Sequence, residues 1–320
     1  MANNNLTTPE WVEEKMKLMG ESANAFDLMV QAMAESRIDV LDLLVGKGLD
    51  IINIKIDKNG NLPIHLAAFN GFIEVVKWLL DNGVKVDARG YRNKTPMHKA
   101  AAAGKVDVMK YLSERGADLY SRDDDGWSPI DAALIGQQTE SWKCFKEMGV
   151  DLNTRDNGGK TVLHHAAIFG MIESIKCLVE LGADVNAKDN DGDTPIIQAA
   201  NAGQAESIKC LAALGADVNA RNNNGNTPIV YAAMADTGQI ECIKCLAALG
   251  ADVNARSNIG RTPIFAAAAA ISGQIEAMEC LKELGAKLDV KDNNGETALD
   301  LANVLKETEA AEWLRANGVG

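Results

Sequence analysis

Apolar positions along this chain follow two short patterns that take turns. In the first, an apolar residue (Ile64, Met97, Leu163, Ile196, Ile229 or Ile264) is followed three and four positions later by a pair of alanines, a pair that comes one place earlier after Ile130. Steps of three and four put all of them on one helix face, and alanine there lets a neighbouring helix come close. In the second pattern, "EVVKWLLDNG", "DVMKYLSERG", "ESIKCLVELG", "ESIKCLAALG", "ECIKCLAALG" and "EAMECLKELG" carry apolar residues at helical spacing and end in glycine. Each predicts a second amphipathic helix stopped by a left-handed cap, with Leu181, Leu214, Leu249 and Leu284 placed to add an apolar contact there. Polar tracts such as "DNDG", "NNNG" and "DNNG" separate one helix pair from the next and suit a tight hairpin turn.

The pairs recur at a fixed interval. Pro63, Pro96 and Pro129 lie 33 residues apart, Pro195 follows after twice 33, Pro228 after 33 and Pro263 after 35. A Thr-Pro step fits a helix start, where threonine supplies an acceptor and proline lacks only an N–H that has no partner there. The stretch "KCLAALGADVNAR" stands at residues 209–221 and again, letter for letter, at 244–256. Shared letters of this kind are framework, since every unit buries the same face against the next. Function is expected in the columns where the units disagree.

The boxes "NLPIHLAAFNG", "KTPMHKAAAAG", "WSPIDAALIG", "KTVLHHAAIFG", "DTPIIQAANAG", "NTPIVYAAMADTG", "RTPIFAAAAAISG" and "ETALDLANVLK" resemble the ankyrin repeat, a 33-residue unit with a Thr-Pro-Leu-His-x-Ala signature. The resemblance implies an all-α solenoid of stacked helix-turn-helix units with short β-hairpin loops. It divides the chain into an N-terminal helical extension (1–23), a leading capping repeat (24–56), seven repeats (57–292) and a closing cap (293–320). It also implies that His65, His98 and His164, at the fourth box position, tie neighbouring loops together by hydrogen bonds.

Composition narrows the class. A hydrophobic share of 47% excludes a disordered chain, and with aromatics scarce it rests on alanine and leucine, as closely packed helices require. Forty-five acidic against 32 basic side chains give a net charge of −13. That charge opposes attachment to nucleic-acid phosphates and anionic membranes. The first residues show no basic start followed by an apolar stretch, and no segment reaches the ~18 apolar residues of a membrane helix. A cytoplasmic monomer is expected, with export by a route lacking a classical signal peptide left open.

Candidate chemistry does not assemble into a site. "NGGKT" at 157–161 lacks the first glycine of a phosphate loop, because Thr154 stands there. "RDDDGW" and "KDNDGD" lack the ligand spacing of a calcium loop. Cys242 and Cys245 form a C-x-x-C inside a predicted helix without a second pair, and the cysteines otherwise follow the repeat. His165 alone lies outside the histidine column, with no nucleophile beside it. Catalytic residues, cofactors and metals are therefore not expected.

Ankyrin-like arrays bind proteins through hairpin tips and the concave face of the first helices. The resemblance nominates Phe69, Tyr91, Arg92, Lys94, Asp124, Asp125, Trp127, Ile135, Lys160, Ile168 and Phe169 as partner-binding residues, the aromatics and Arg92 being typical interface anchors. Later units look bland, with Asn223, Asn224, Asn226 and Met234, then Asn258, Ile259 and Arg261 before a run of alanines. The third unit departs most: Asp131 replaces the box histidine, Gln137 the usual glycine, and Trp142 and Phe145 enlarge its second helix. Two extra residues enter the sixth and seventh units, around 236–237 and 271–272. Asn186, Asn219 and Asn254 resemble positions hydroxylated in eukaryotic ankyrin repeats. The reading is a noncatalytic protein-binding module. Its alternatives are an inhibitor, effector or scaffold controlling one enzyme, a consensus-like engineered binder, or a small-ligand or nucleotide receptor.

Overall fold

The computed structural model describes residues 7–19, 25–234, 239–270 and 275–320. The insertions at 236–237 and 271–272 lie outside them. Among the described residues there are nineteen α-helices and no strand.

The chain falls into two compact units, Met1–Val150 and Asp151–Gly320. In the first, the helix Pro63–Asn70 packs on Pro96–Ala102 and that on Pro129–Ile135. Each is followed by a helix that packs against it, Ile73–Asp81, Val106–Glu114 and Thr139–Glu147, and these partners form a row of their own. Ahead of them come Thr8–Met19, Ala25–Ala34 and Ile38–Gly46, the last packing on Ile73–Asp81. The second unit repeats the scheme: Val162–Ile168, Pro195–Asn201, Pro228–Met234, Pro263–Ala269 and Ala298–Leu305 stack in order. Ile172–Glu180, Ala205–Ala213, Gln239–Ala248, Ile275–Glu283 and Thr308–Ala316 do likewise.

The sequence columns explain both rows. The apolar residue and alanine pair of each first helix are almost fully buried, as with Met97, Ala100 and Ala101 or Ile196, Ala199 and Ala200. Each second helix buries one stripe, such as Val75, Val76 and Leu79 or Ile208 and Leu211. Thr95 is extended (φ −90°, ψ 167°) before Pro96, and its hydroxyl accepts from the His98 N–H. After Glu180 and Leu181 the chain turns through Gly182 at φ +99°, the conformation that only glycine adopts cheaply.

The loops are hairpin fingers in their shortest form, without strands among the described residues. A finger closes a single backbone pair, Asp189 N–H to Asp193 O at 2.9 Å, around a turn from Gly192 N–H to Asp189 O at 3.0 Å. The Asp189 carboxylate takes over the remaining N–H groups, those of Asp191 and Asp193. A side chain thus does what a second ladder bond would do in a strand pair.

In the third unit Trp142 and Phe145 are fully buried, and the Trp142 indole donates to the Ile130 carbonyl at 3.1 Å. At the chain start Trp11 is buried, donating to Glu35 at 2.6 Å with Lys15 and Arg37 against its ring. These bonds hold the leading helix to the two that follow.

Candidate partner-binding surface

The finger tips are where the two units part. One tip column reads Asn157, Asn190, Asn223, Asn258 and Asn293 in the second unit, against Lys58, Tyr91 and Asp124 in the first. In the second unit the column bonds to itself. The side-chain amides of Asn190, Asn223, Asn258 and Asn293 donate to the carbonyls of Asn157, Asn190, Asn223 and Asn258 at 2.9–3.0 Å. Their backbone N–H groups reach the preceding finger as well, for example Asn223 to Asp191 O at 3.0 Å. Asparagine here is structural.

In the first unit that column carries side chains of another kind. Tyr91 donates its backbone N–H to Asn61 Oδ1 at 3.1 Å, while the residue as a whole is 43% exposed. Phe69 and Ile135, at the ends of their first helices, are 49% and 60% exposed. Three large apolar side chains facing water in consecutive repeats are unlike the rest of that unit's buried alanine and leucine. Trp127 is half-buried, and its backbone joins Asp123 and His98 through N–H and C=O.

The nominated charges are largely engaged within the chain. Arg92 pairs with Asp125, and Lys94 lies 3.6 Å from the buried Asp123. Arg89 donates to the carbonyls of Asn93 and Arg122. Asp124 is exposed, and its N–H donates to Arg92 O at 3.0 Å. In the second unit Lys160 stands 3.8 Å from buried Asp189, Phe169 is half exposed and Ile168 half-buried.

The histidines take up loop ties. His98 Nδ1 receives the Thr95 N–H at 3.2 Å while Nε2 reaches the Trp127 carbonyl at 3.0 Å. His164 does the same with Thr161 and Asp193, and His65 with Leu62, Ala88 and Lys94. Burial pushes all three below the ordinary histidine value, His98 and His164 to about 4. Asp131 and Asp300 substitute in the same place, each accepting from the N–H and hydroxyl of Ser128 or Thr297. Where Ile197, Val230 and Phe265 fill the position, the hydroxyls of Thr194, Thr227 and Thr262 are buried without a partner among the described residues.

Among the described residues no group of three or more His, Cys, Asp or Glu side chains is arranged to hold a metal, and no helix is long and apolar enough to cross a membrane. Sequence reasoning passed over Tyr120, which is exposed where "DVNA" units carry asparagine, and that internal disagreement was the available signal. It also undervalued Met234 and Ile259, both about half exposed beside a cavity of about 180 Å³ walled by Val230 and Phe265.

Paired helices stacked in register, with polar fingers between the pairs, define a helical repeat protein. The family model described as Ankyrin repeats (3 copies) matches residues 28–123, 119–189, 182–257 and 238–319, and the chain belongs to the ankyrin-repeat family. Ankyrin repeats are generally noncatalytic protein–protein interaction modules. The comparison with curated proteins returned no match.

Proposed function

We propose that this protein is a noncatalytic binder of another protein and that the first unit supplies the contact, through Phe69, Tyr91 and Ile135 with Trp127 and Asp124 beside them. The observation that carries this reading is the exposure of those three apolar side chains in consecutive repeats, Tyr91 standing in the finger column that the second unit fills with self-bonded asparagine. Large exposed side chains of limited freedom are what interfaces use as anchors. The engaged charges Arg92 and Lys94 then serve to hold the fingers' shape, and the acidic surface keeps the free protein soluble.

The test is affinity capture from the source cells with the wild-type chain and with Phe69→Ser, Tyr91→Ala and Ile135→Asp variants, followed by titration of the purified partner. A partner whose affinity drops at least about ten-fold in these variants, with unfolding midpoints unchanged, supports the reading. A partner indifferent to all three overturns it.

A further inference from the structure

Where the residue after the fourth box position is polar it makes a local bond in three repeats of the second unit, and Lys99 is the polar residue of this column that does not, the other places being held by Leu66, Ala132, Ala266 and Leu301. His165 Nε2 meets Asp156 Oδ2 at 3.0 Å, Gln198 Nε2 donates to Asp189 Oδ2 at 2.9 Å, and Asn222 Nδ2 donates to the Tyr231 hydroxyl at 2.8 Å. Each partner stands nine residues upstream, at the base of the same unit's finger. Lys99 occupies this column in the second repeat, and the residue nine positions before it is Gly90. No side chain is there to meet it, nor is there room for one. A Cβ on residue 90 would lie 2.6 Å from Asn61 Oδ1 and 2.9 Å from His65 Nε2.

Lys99 opens instead on a cavity of about 220 Å³, with Ile56, Leu66 and Phe69 as apolar walls and Asp57, Asn61 and His65 as polar ones. The polar walls are already committed. Asp57 accepts from the N–H groups of Asn59 and Asn61 and from the Asn61 amide at 2.6 Å. Asn61 Oδ1 accepts from Tyr91, and both His65 nitrogens are bonded to backbone. Among the described residues the Lys99 ammonium has neither a hydrogen bond nor an ion pair, only a longer-range attraction to Asp57. Burial, with Lys94 adding its charge, holds its pKa below the usual lysine value. A partly desolvated cation without a counterion gains most from a carboxylate brought to it.

We propose that this cavity is a subsite for an acidic side chain of the partner protein: a Glu or Asp carboxylate seated on Lys99, with a neighbouring apolar side chain laid on Ile56, Leu66 and Phe69. The proposal rests on the protein-binding reading above. Phe69 belongs both to the cavity wall and to that exposed surface, so an interface there runs into the cavity without a break. The chain's net charge of −13 repels acidic partners in general. The Lys99 ammonium, beside apolar walls and polar ones already bonded within the chain, then selects an acid by position.

The probes are acetyl-Leu-Glu-Leu-amide, its Gln counterpart and free 3-phenylpropionate, titrated into the full chain while the Phe69, Leu66 and Lys99 resonances are followed by NMR. The Glu peptide should bind about ten-fold more tightly than the Gln peptide and raise the Lys99 pKa. Lys99→Met should erase that preference and Lys99→Arg should keep it, which guards against a variant that simply misfolds. Equal binding of the two peptides, a preference that survives Lys99→Met, or binding of phenylpropionate but of neither peptide would each overturn the proposal. If Lys99→Met leaves a captured partner's affinity intact while Phe69→Ser and Tyr91→Ala abolish it, the subsite is wrong and the surface reading stands. If partner capture is indifferent to the surface variants, the surface reading itself has failed.

Discussion

His98 Nε2 lies 3.0 Å from the carbonyl oxygen of Trp127, in the finger of the next unit. The Thr95 N–H points at Nδ1, so the ring is neutral with its proton on Nε2, and protonation of Nδ1 would break the helix start. His164 is bound in the same way between Thr161 and Asp193. Both sit at about 4 in the folded chain against an ordinary value of 6.5, because burial disfavours the imidazolium. The unfolded chain therefore takes up these protons first as pH falls. Their contribution is complete above 6.5, shrinks through the interval down to about 4, and is absent below it. Urea unfolding should lose up to roughly 3 kcal/mol per histidine across that interval. Asp193, raised by burial, acts in the opposite sense in the second unit. A His98→Asn variant should show a shallower pH profile, and an unchanged profile would contradict this account.

Gln137 adopts φ +51° between the two helices of its repeat, a place where other units carry Gly71, Gly104, Gly170 or Gly203. A residue with a Cβ is strained in that conformation by about 1 kcal/mol. Gln137→Gly should therefore stabilise the first unit by about that much, even though it removes a side chain. Chemical unfolding followed by tryptophan fluorescence reports on this unit, since Trp11, Trp78, Trp127 and Trp142 lie in it and only Trp313 in the other. A loss of stability would mean that the Gln137 side chain contributes more than its backbone costs.

The tip asparagines of the second unit should behave as framework. Asn223 donates from its amide to Asn190 O and from its N–H to Asp191 O. Gly192, at φ +78°, leaves the space that Asn223 uses, since a Cβ there would come within 2.4 Å of its Oδ1. Asn223→Ala should cost about 1 kcal/mol and speed amide exchange at residues 190–192 without altering partner affinity. Tyr91→Ala in the first unit should do the reverse, lowering affinity with little effect on stability.

Most of the fold was written in columns that physical chemistry reads directly. The apolar residue with its alanine pair fixes the buried face of each first helix, and proline marks its start. What the sequence could not show was which side chains would be consumed by their neighbours. Arg92, Lys94 and Lys160 look like free cations on paper, but their partners Asp125, Asp123 and Asp189 come from the adjoining finger, about one repeat away. Lys99 reads in the sequence as one more cation beside Arg89, Arg92 and Lys94 and is not among the nominated partner-binding residues, for the converse reason. Its lack of a partner depends on Gly90, whose bareness is imposed by Asn61 and His65 from the unit before. Such pairings belong to the stacking of units, and a single column cannot reveal them.

Cys242 and Cys245 carry the spacing of a redox or zinc pair, and their surroundings disfavour a reactive thiolate. Both lie in the helix Gln239–Ala248, Cys242 fully buried and Cys245 nearly so. Burial pushes the Cys242 thiol up to about 12 and raises Cys245 as well, whereas a nucleophilic or metal-binding cysteine needs its thiolate within reach of neutral pH. Cys245 Sγ faces the Ala205 carbonyl at 3.8 Å, a weak contact of the kind a small buried hydrophobe makes. In the native protein near pH 8 Cys242 should alkylate at least about a thousand-fold more slowly than an unperturbed thiol, given both the shift and the lack of access, and Cys245 should also be slowed. The half-buried Cys177 and Cys210 should be labelled before them, and all should react together in denaturant. Mass mapping of iodoacetamide adducts over time gives the order. Rapid labelling of Cys242 in the folded chain would mean that its helix does not hold the packing described, and with it the seam between the fifth, sixth and seventh repeats.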